Sequence, residues 1–143
     1  YSELPVRGEP GAELRVYSGT SGDITAPTRN HLPITMVEFK LEPGATVAQA
    51  LPAHHNAFLY VLEGRGQFGA DAKPAEAGQV VWVSRAAKEG PSELRVAAGD
   101  APLRTMLWAG PPLGEPVVSY GPFVMNTMDE IRQAYLDYQA GKF

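Results

Sequence analysis

Short runs of β-forming residues, each closed by glycine or proline, constrain the fold of this chain more than any other feature. Glycine and proline account for 15 and 13 of its 143 residues. The clearest run covers residues 34–41, where Thr35, Val37, Phe39 and Leu41 fall on one face of an extended strand. Further runs follow at residues 57–62, 66–69, 79–84, 94–98 and 103–109. Because such runs recur about every 8–12 residues with no helical pattern between them, the sequence predicts an all-β sandwich or small barrel.

Glycine and proline also predict where the chain turns. In Glu42-Pro43-Gly44-Ala45, proline presets the first central dihedral of a type II turn and glycine accepts the positive φ of the second. Residues 62–66 have the composition of a hairpin turn, in which Glu63 is expected to be solvated. Residues 18–32 are polar and rich in turn formers, and we expect a surface loop there.

The tail of the chain is the one place where a helical pattern appears. Thr127 and Glu130 have the spacing of a capping box, in which each side chain accepts a hydrogen bond from the other residue's backbone amide. Apolar residues then recur every three or four positions, and Gly141 provides a stop. The stripe they form consists of Ile131, Ala134, Tyr135 and Tyr138. The sequence therefore predicts one C-terminal amphipathic helix over about residues 128–140.

Composition narrows the possible functions. The chain has 12 Lys and Arg against 16 Asp and Glu, a net charge of −4, and no basic cluster, so we expect no direct nucleic-acid binding. It has no apolar run long enough to span a bilayer and no signal-peptide pattern, which predicts a soluble, cytoplasmic protein with no membrane partner. The absence of cysteine excludes a disulfide framework, an iron–sulfur cluster and a thiol nucleophile.

The adjacent histidines His54 and His55 are the first candidate site. Successive residues of a strand point to opposite faces, so the two imidazoles could share one ion only on an irregular backbone. The third histidine, His31, falls in a predicted loop, and no suitably spaced glutamate follows His55. We therefore expect no metal site in this chain and favour a structural or pocket-rim histidine at position 55.

Aromatic residues in the predicted strands offer a second candidate. Trp82 and Trp108 alternate with aliphatic residues, and tryptophan in a strand packs in a core more often than it walls a ligand cavity. If the barrel does retain a pocket, His55, Tyr60 and Trp82 are the residues we expect to line it. No serine has a nucleophile-elbow context, so the sequence assigns no catalytic residue.

Two segments resemble one protein family. Residues 114–127 (GEPVVSYGPFVMNT) and the residues that follow them to Phe143 are similar to the carboxyl end of pirin-family proteins. The block HNAFLYVLEG at residues 55–64, with Leu41-Glu42-Pro43-Gly44, resembles the second half of pirins. The resemblance implies a cupin-type β-barrel or jelly roll, also called a double-stranded β-helix, with a C-terminal helix.

The same resemblance implies that residues 1–143 are a single C-terminal cupin domain. Pirins are bicupins, and their metal, iron or another divalent ion, is held in an N-terminal cupin by three histidines and a glutamate. Because the resemblance covers only the second half of such a protein, we expect that metal-binding cupin to be missing from this chain. The first residue, Tyr1 rather than methionine, suggests that residues upstream of it were cut away or left out. Counting back from Tyr60 puts Ala50 and Pro52 where the two histidines of a His-x-His motif would stand. No cofactor is therefore expected in this chain.

The implied functions belong to a whole pirin. Some pirins are quercetin 2,3-dioxygenases that open the flavonol ring with O2, and others are regulatory cofactors of transcription factors or metabolic enzymes. For this chain we expect a metal-free structural domain whose partner is the N-terminal cupin of the same protein. Two alternatives stay open, a barrel that binds a small aromatic molecule such as a flavonoid and a regulatory domain that acts through protein–protein contacts.

Overall fold

A computed structural model describes residues 3–87 and 89–143. The described residues form two compact units that divide between Pro112 and Leu113, and each unit is described below by itself. The domain start expected at Tyr1 lies outside the described residues.

Antiparallel strands build the first unit. Their bounds are β1 Val6–Glu9, β2 Ala12–Ser18, β3 Thr20–Ser21, β4 Ile24–Thr25, β5 Thr35–Leu41, β6 Thr46–Pro52, β7 Asn56–Glu63, β8 Arg65–Phe68, β9 Lys73–Glu76, β10 Val80–Val83, β11 Pro91–Ala98 and β12 Leu103–Gly110. One sheet has the order β1-β2-β5-β12-β7-β10, and a second has the order β6-β11-β8-β9. The strands β3 and β4 form a small hairpin of their own. Each run expected from the sequence falls on a strand.

Apolar side chains from both sheets meet in one core. The face of β5 expected from the sequence is confirmed, because Val37, Phe39 and Leu41 are buried together with Thr35. Along β6 and β11, which pair in register, Val47, Leu51, Leu94 and Val96 turn to the same core. The two sheets therefore pack face to face around an aliphatic interior, with alternate residues of each strand pointing into it.

The surface loop expected at residues 18–32 is wrong in part. Residues 20–25 form the β3–β4 hairpin, and Ser18, Ser21 and Ala26 are buried. The serine hydroxyls are satisfied in the interior, since Ser18 Oγ donates to the Ile34 carbonyl at 2.8 Å and Ser21 Oγ donates to Gln49 Oε1 at 2.6 Å. Short polar side chains can therefore anchor a segment whose composition is typical of a loop.

The two predicted turns have different outcomes. Gly44 has a φ of +74°, and the Ala45 amide donates to the Glu42 carbonyl at 3.0 Å, as the tight turn requires. The hairpin expected at residues 62–66 is wrong, because β7 belongs to the six-stranded sheet and β8 to the other. Gly64 lies between β7 and β8, where the chain leaves one sheet and enters the other. It has a φ of +76°, and a Cβ added to it would lie 2.0 Å from the Pro102 carbonyl oxygen. Glycine is required there by conformation and by space.

The second unit contains the predicted helix. It begins with the hairpin of β13, Val118–Tyr120, and β14, Phe123–Met125, and ends with α1, Met128–Gln139. The capping box is confirmed, because the Glu130 amide donates to Thr127 Oγ1 at 3.2 Å and the Thr127 amide donates to Glu130 Oε2 at 2.8 Å. Gly141, at φ +67°, closes the other end as the Lys142 amide reaches back to the Asp137 carbonyl.

One face of α1 is apolar, as expected, but the buried stripe is narrower than the sequence suggested. Ile131 and Ala134 are buried, and Tyr135 packs edge to face against Phe123 with ring centroids 5.0 Å apart. Tyr138, which the periodicity placed on the same stripe, is mostly exposed. Within the described residues, no helix combines the length and the apolar character that a membrane crossing requires.

Replacing Gly64 tests the passage between the sheets. Gly44→Ala is a matched control, since Gly44 also has a positive φ but has open space where a Cβ would stand. We expect Gly44→Ala to lower the free energy of unfolding by about 1–2 kcal/mol from backbone strain alone. Gly64→Ala adds the clash with Pro102 and should cost about 2–5 kcal/mol in urea denaturation. Equal losses in the two variants would contradict the close approach.

Candidate functional site

If this barrel held a metal ion as the other pirin cupin does, the two histidines of the His-x-His motif would have to lie on the inward face of β6. Val47, Gln49 and Leu51 point into the barrel, and Gln49 is completely buried. Ala50 and Pro52, which the count from Tyr60 matched to the two histidines, are exposed on the opposite face. Because the residues of a strand alternate between its two faces, the inward positions nearest to the two expected histidine positions are Gln49 and Leu51.

Hydrogen bonds within the chain occupy the Gln49 amide. Its Oε1 accepts from Ser21 Oγ at 2.6 Å, and its Nε2 donates to the carbonyls of Thr20 at 3.0 Å and Ala50 at 2.9 Å. Arg7 extends the network by donating from one guanidinium nitrogen to Ser21 Oγ at 3.2 Å. A buried polar group satisfied in this way stabilises the joint between the β3–β4 hairpin and β6.

The donor atoms of this interior do not fit the iron centre that the resemblance implies. Iron in such a centre needs imidazole and carboxylate ligands, whereas the inward residues are a hydrogen-bonded amide and a leucine. Across residues 3–87 and 89–143, no three His, Asp or Glu side chains are grouped closely enough to hold a metal ion. No catalytic step through a metal in this barrel follows from the structure.

His55 lies at the end of the barrel, in the turn between β6 and β7. Its side chain is 7% exposed, and its ring packs edge to face on that of His54 with centroids 4.8 Å apart. Burial, and then the neighbouring charge of His54, hold the pKa of His55 below its ordinary value. The third histidine, His31, is exposed in the segment before β5. The structure thus brings together two of the three histidines.

Tyr60 and Trp82 face out of the barrel, which corrects the expectation that these aromatic residues point inward. Leu59, Val61 and Val81 take the inward positions on β7 and β10, so alternation sends Tyr60 and Trp82 to the outer face. Tyr60 is 37% exposed and Trp82 is 72% exposed. The two cavities that Trp82 borders, of 240 and 480 Å3, are lined by neither His55 nor Tyr60.

Three rings instead form an aromatic row on the outer face of the six-stranded sheet. Trp82 lies opposite Phe58, and Phe58 lies opposite Trp108 on the next strand. Ring centroids are 5.3 Å apart for Phe58 and Trp82 and 5.1 Å apart for Phe58 and Trp108. Contacts at these distances stabilise the sheet, yet they leave one face of the Trp82 ring open to solvent.

Glu38 is a buried carboxylate that sequence reasoning missed. It lies on the outer side of β5 but is only 2% exposed. Arg104 Nε donates to its Oε1 at 2.6 Å, and the Tyr17 hydroxyl donates to its Oε2 at 3.1 Å. Arg104 also donates to Glu63 Oε1 at 3.0 Å, and these bonds, the one to Glu38 first, raise the pKa of Arg104. The partners are separated by up to 66 residues, so no local pattern marks them.

Comparison with known proteins decides the family. The family model of the pirin C-terminal cupin domain matches residues 36–143, which is most of the chain. The chain belongs to the pirin family. Pirin-like protein 2 of Arabidopsis thaliana is 40% identical to it over 146 residues, which cover 99% of the chain and 45% of that protein. The chain spans about half the length of the curated relatives it matches.

Solved structures confirm the cupin fold of this pirin domain. A quercetin 2,3-dioxygenase from Acinetobacter baumannii superposes with a TM-score of 0.83 at 33% identity, covering 99% of this chain and 48% of the other. A Geobacillus kaustophilus protein is 51% identical, with a TM-score of 0.78 over 81% of this chain and 46% of its own. The chain is therefore similar to the second half of longer pirins, and the strand and helix pattern expected from its sequence is that of the family.

Two carboxylates on one guanidinium allow a matched test of the buried ion pair. Glu38→Gln puts an amide between two hydrogen-bond donors at a buried position, and we expect it to lower the free energy of unfolding by about 1–3 kcal/mol. Glu63→Gln removes the charge of the second carboxylate bound to the same arginine, but Glu63 is 67% exposed, so the change should cost at most about 0.5 kcal/mol. Equal losses in urea denaturation would contradict the dominant role of Glu38.

Proposed function

We propose that this chain is a non-catalytic structural cupin of a pirin-like protein, and that it supports a second cupin that holds the metal. The observation that carries the proposal is the inward face of β6, where Gln49 and Leu51 occupy the space that a ligand set would need. The Gln49 amide is bonded to Thr20, Ser21 and Ala50. A packed interior of this kind suits a domain that contributes stability and surface.

The activity of the whole protein is proposed from its relatives. The Acinetobacter baumannii structure that matches 99% of this chain is named a quercetin 2,3-dioxygenase. A Vibrio cholerae protein, 36% identical over 135 residues, is named a putative quercetin 2,3-dioxygenase. We assign a flavonol dioxygenase activity of this kind, with its iron or other divalent ion, to an N-terminal cupin that accompanies this domain in the full-length protein.

The outer face of the six-stranded sheet around the aromatic row is the surface we assign to contact with another protein. Trp82, Tyr60 and Val80 expose apolar area side by side on one sheet. The partner assigned to this surface is the N-terminal cupin of the same protein. The outward direction of Tyr60 and Trp82 also favours the alternative of a regulatory domain acting through protein contacts over that of a flavonoid-binding pocket inside the barrel.

Iron binding tests the non-catalytic role. The isolated chain and the full-length protein are each loaded anaerobically with Fe(II), desalted and analysed for metal, and then given quercetin and O2. We expect about one iron per full-length chain with quercetin turnover, and neither in the isolated chain, because the inward positions of β6 carry no imidazole or carboxylate. Tightly bound iron in the isolated chain would overturn the non-catalytic assignment. A full-length protein without iron would overturn the assignment of iron to its other cupin.

Replacing Trp82 tests the contact surface. In the isolated chain, Trp82→Ser removes the contact between the exposed Trp82 ring and the Phe58 ring. We expect this change to lower the free energy of unfolding by at most about 1.5 kcal/mol. In the full-length protein the same change should cost at least about 2 kcal/mol more, as expected for a buried aromatic anchor. Val117→Ser is the control, because Val117 is 78% exposed and lies outside the aromatic row. The same loss from Trp82→Ser in both proteins would contradict the contact.

A further inference from the structure

The turn between β6 and β7 carries the two adjacent histidines, and no role assigned so far involves them. Strand β6 ends at Pro52 and β7 begins at Asn56, so His54 and His55 lie on an irregular backbone. The alternation that sends successive strand side chains to opposite faces does not apply there. The objection that the sequence raises against a shared ion is therefore removed by the observed backbone.

Backbone hydrogen bonds hold this turn in place. The His55 amide donates to the Pro52 carbonyl at 3.0 Å, and the Ala53 amide donates to the Gly90 carbonyl at 2.8 Å. The Ala53 carbonyl in turn accepts from the Ala86 amide at 2.7 Å. The two histidines thus stand on a segment fixed from within the turn and from the chain beyond β10, which lowers the entropy lost when they bind a common partner.

Both imidazoles bury a nitrogen that lacks a partner. The Nδ1 atoms of His54 and His55 are shielded from solvent, and within the described part of the chain neither has a hydrogen-bond partner. His55 as a whole is more than nine-tenths buried. A buried polar atom without a hydrogen-bond partner is destabilising and uncommon in folded proteins, so two on neighbouring rings call for a physical explanation.

We propose that this turn binds one borderline divalent transition ion, zinc or copper, through the Nδ1 atoms of His54 and His55, with water completing the coordination. Two imidazole nitrogens about 2.0–2.1 Å from a tetrahedral ion place their ring centroids about 5 Å apart. The observed separation is 4.8 Å. The ion replaces the direct contact between the rings and satisfies both nitrogens. Imidazole suits zinc and copper, and copper binds the more tightly of the two.

The chemistry of this turn site differs from that of the iron centre assigned to another cupin. Two nitrogen ligands with open positions give a weaker, exchangeable site for zinc or copper at the end of the barrel. The proposal rests on the geometry of the turn and on the two unpartnered buried nitrogens, and it does not depend on the proposed function. A zinc titration therefore tests it separately from the iron measurement.

The composition of the chain makes that titration clean. The chain has no cysteine and three histidines, so His31, which is exposed, is a matched control for the other two. Zinc chloride is titrated calorimetrically into the unmodified chain and into His54→Gln, His55→Gln and His31→Gln. We expect one site of micromolar affinity, weakened at least about tenfold by either substitution in the turn and changed less than about twofold by His31→Gln. Amide NMR spectra of each variant check that the fold is kept.

Nitrogen-15 NMR of the histidine rings identifies the ligand atoms. On addition of zinc, the Nδ1 resonances of His54 and His55 should shift together, and those of His31 should not. No saturable heat, equal binding by the two turn variants and the unmodified chain, or loss of binding in His31→Gln would overturn the site. A shift confined to Nε2 would overturn the assignment to the buried nitrogens.

Discussion

The alternation of side chains along strands packed on both sides of one core decides what chemistry this barrel can hold. Val37 and Phe39 on β5, Leu59 and Val61 on β7, and Val96 on β11 are all completely buried, so half of each strand is committed to aliphatic packing. On β6 the same rule turns Gln49 and Leu51 inward and Ala50 and Pro52 outward. Among residues 3–87 and 89–143, this packed interior, with the Gln49 amide satisfied by Thr20, Ser21 and Ala50, offers no set of ligands for a catalytic ion.

The alternation also explains the outer surface. Since Leu59 and Val81 fill inward positions, their neighbours Phe58, Tyr60 and Trp82 must lie outside, where they form an apolar face on the six-stranded sheet. Beside this face, Glu38 is covered so fully that its carboxylate depends on Arg104 and Tyr17 for hydrogen bonds. One face of the sheet therefore combines an open aromatic row with a closed ion pair. The open aromatic row is the part of this face on which the proposed protein contact rests.

Local patterns were enough to predict much of this structure. The face of β5, the turn at Gly44, the capping box of α1 and the all-β class all follow from residues within a few positions of each other. The motifs at residues 41–44, 55–64 and 114–143 were enough to identify the family. What could not be predicted depends on distant partners. The burial of Glu38 requires an arginine 66 residues away, and the anchoring of residues 18–26 requires Gln49. The direction of Trp82 required knowing which neighbours face the core, and the turn at His54 and His55 interrupts a run that reads as a strand entry.

The central claim, that the interior of this pirin domain is a packed core and not a metal centre, is tested most directly by anomalous diffraction. Crystals of the chain grown anaerobically with excess Fe(II) would be measured on both sides of the iron absorption edge. We predict no iron peak inside the barrel and continuous side-chain density for Gln49, bonded to Ser21 and to the Thr20 carbonyl. An iron peak within bonding distance of residues on the inward face of β6 would contradict the account.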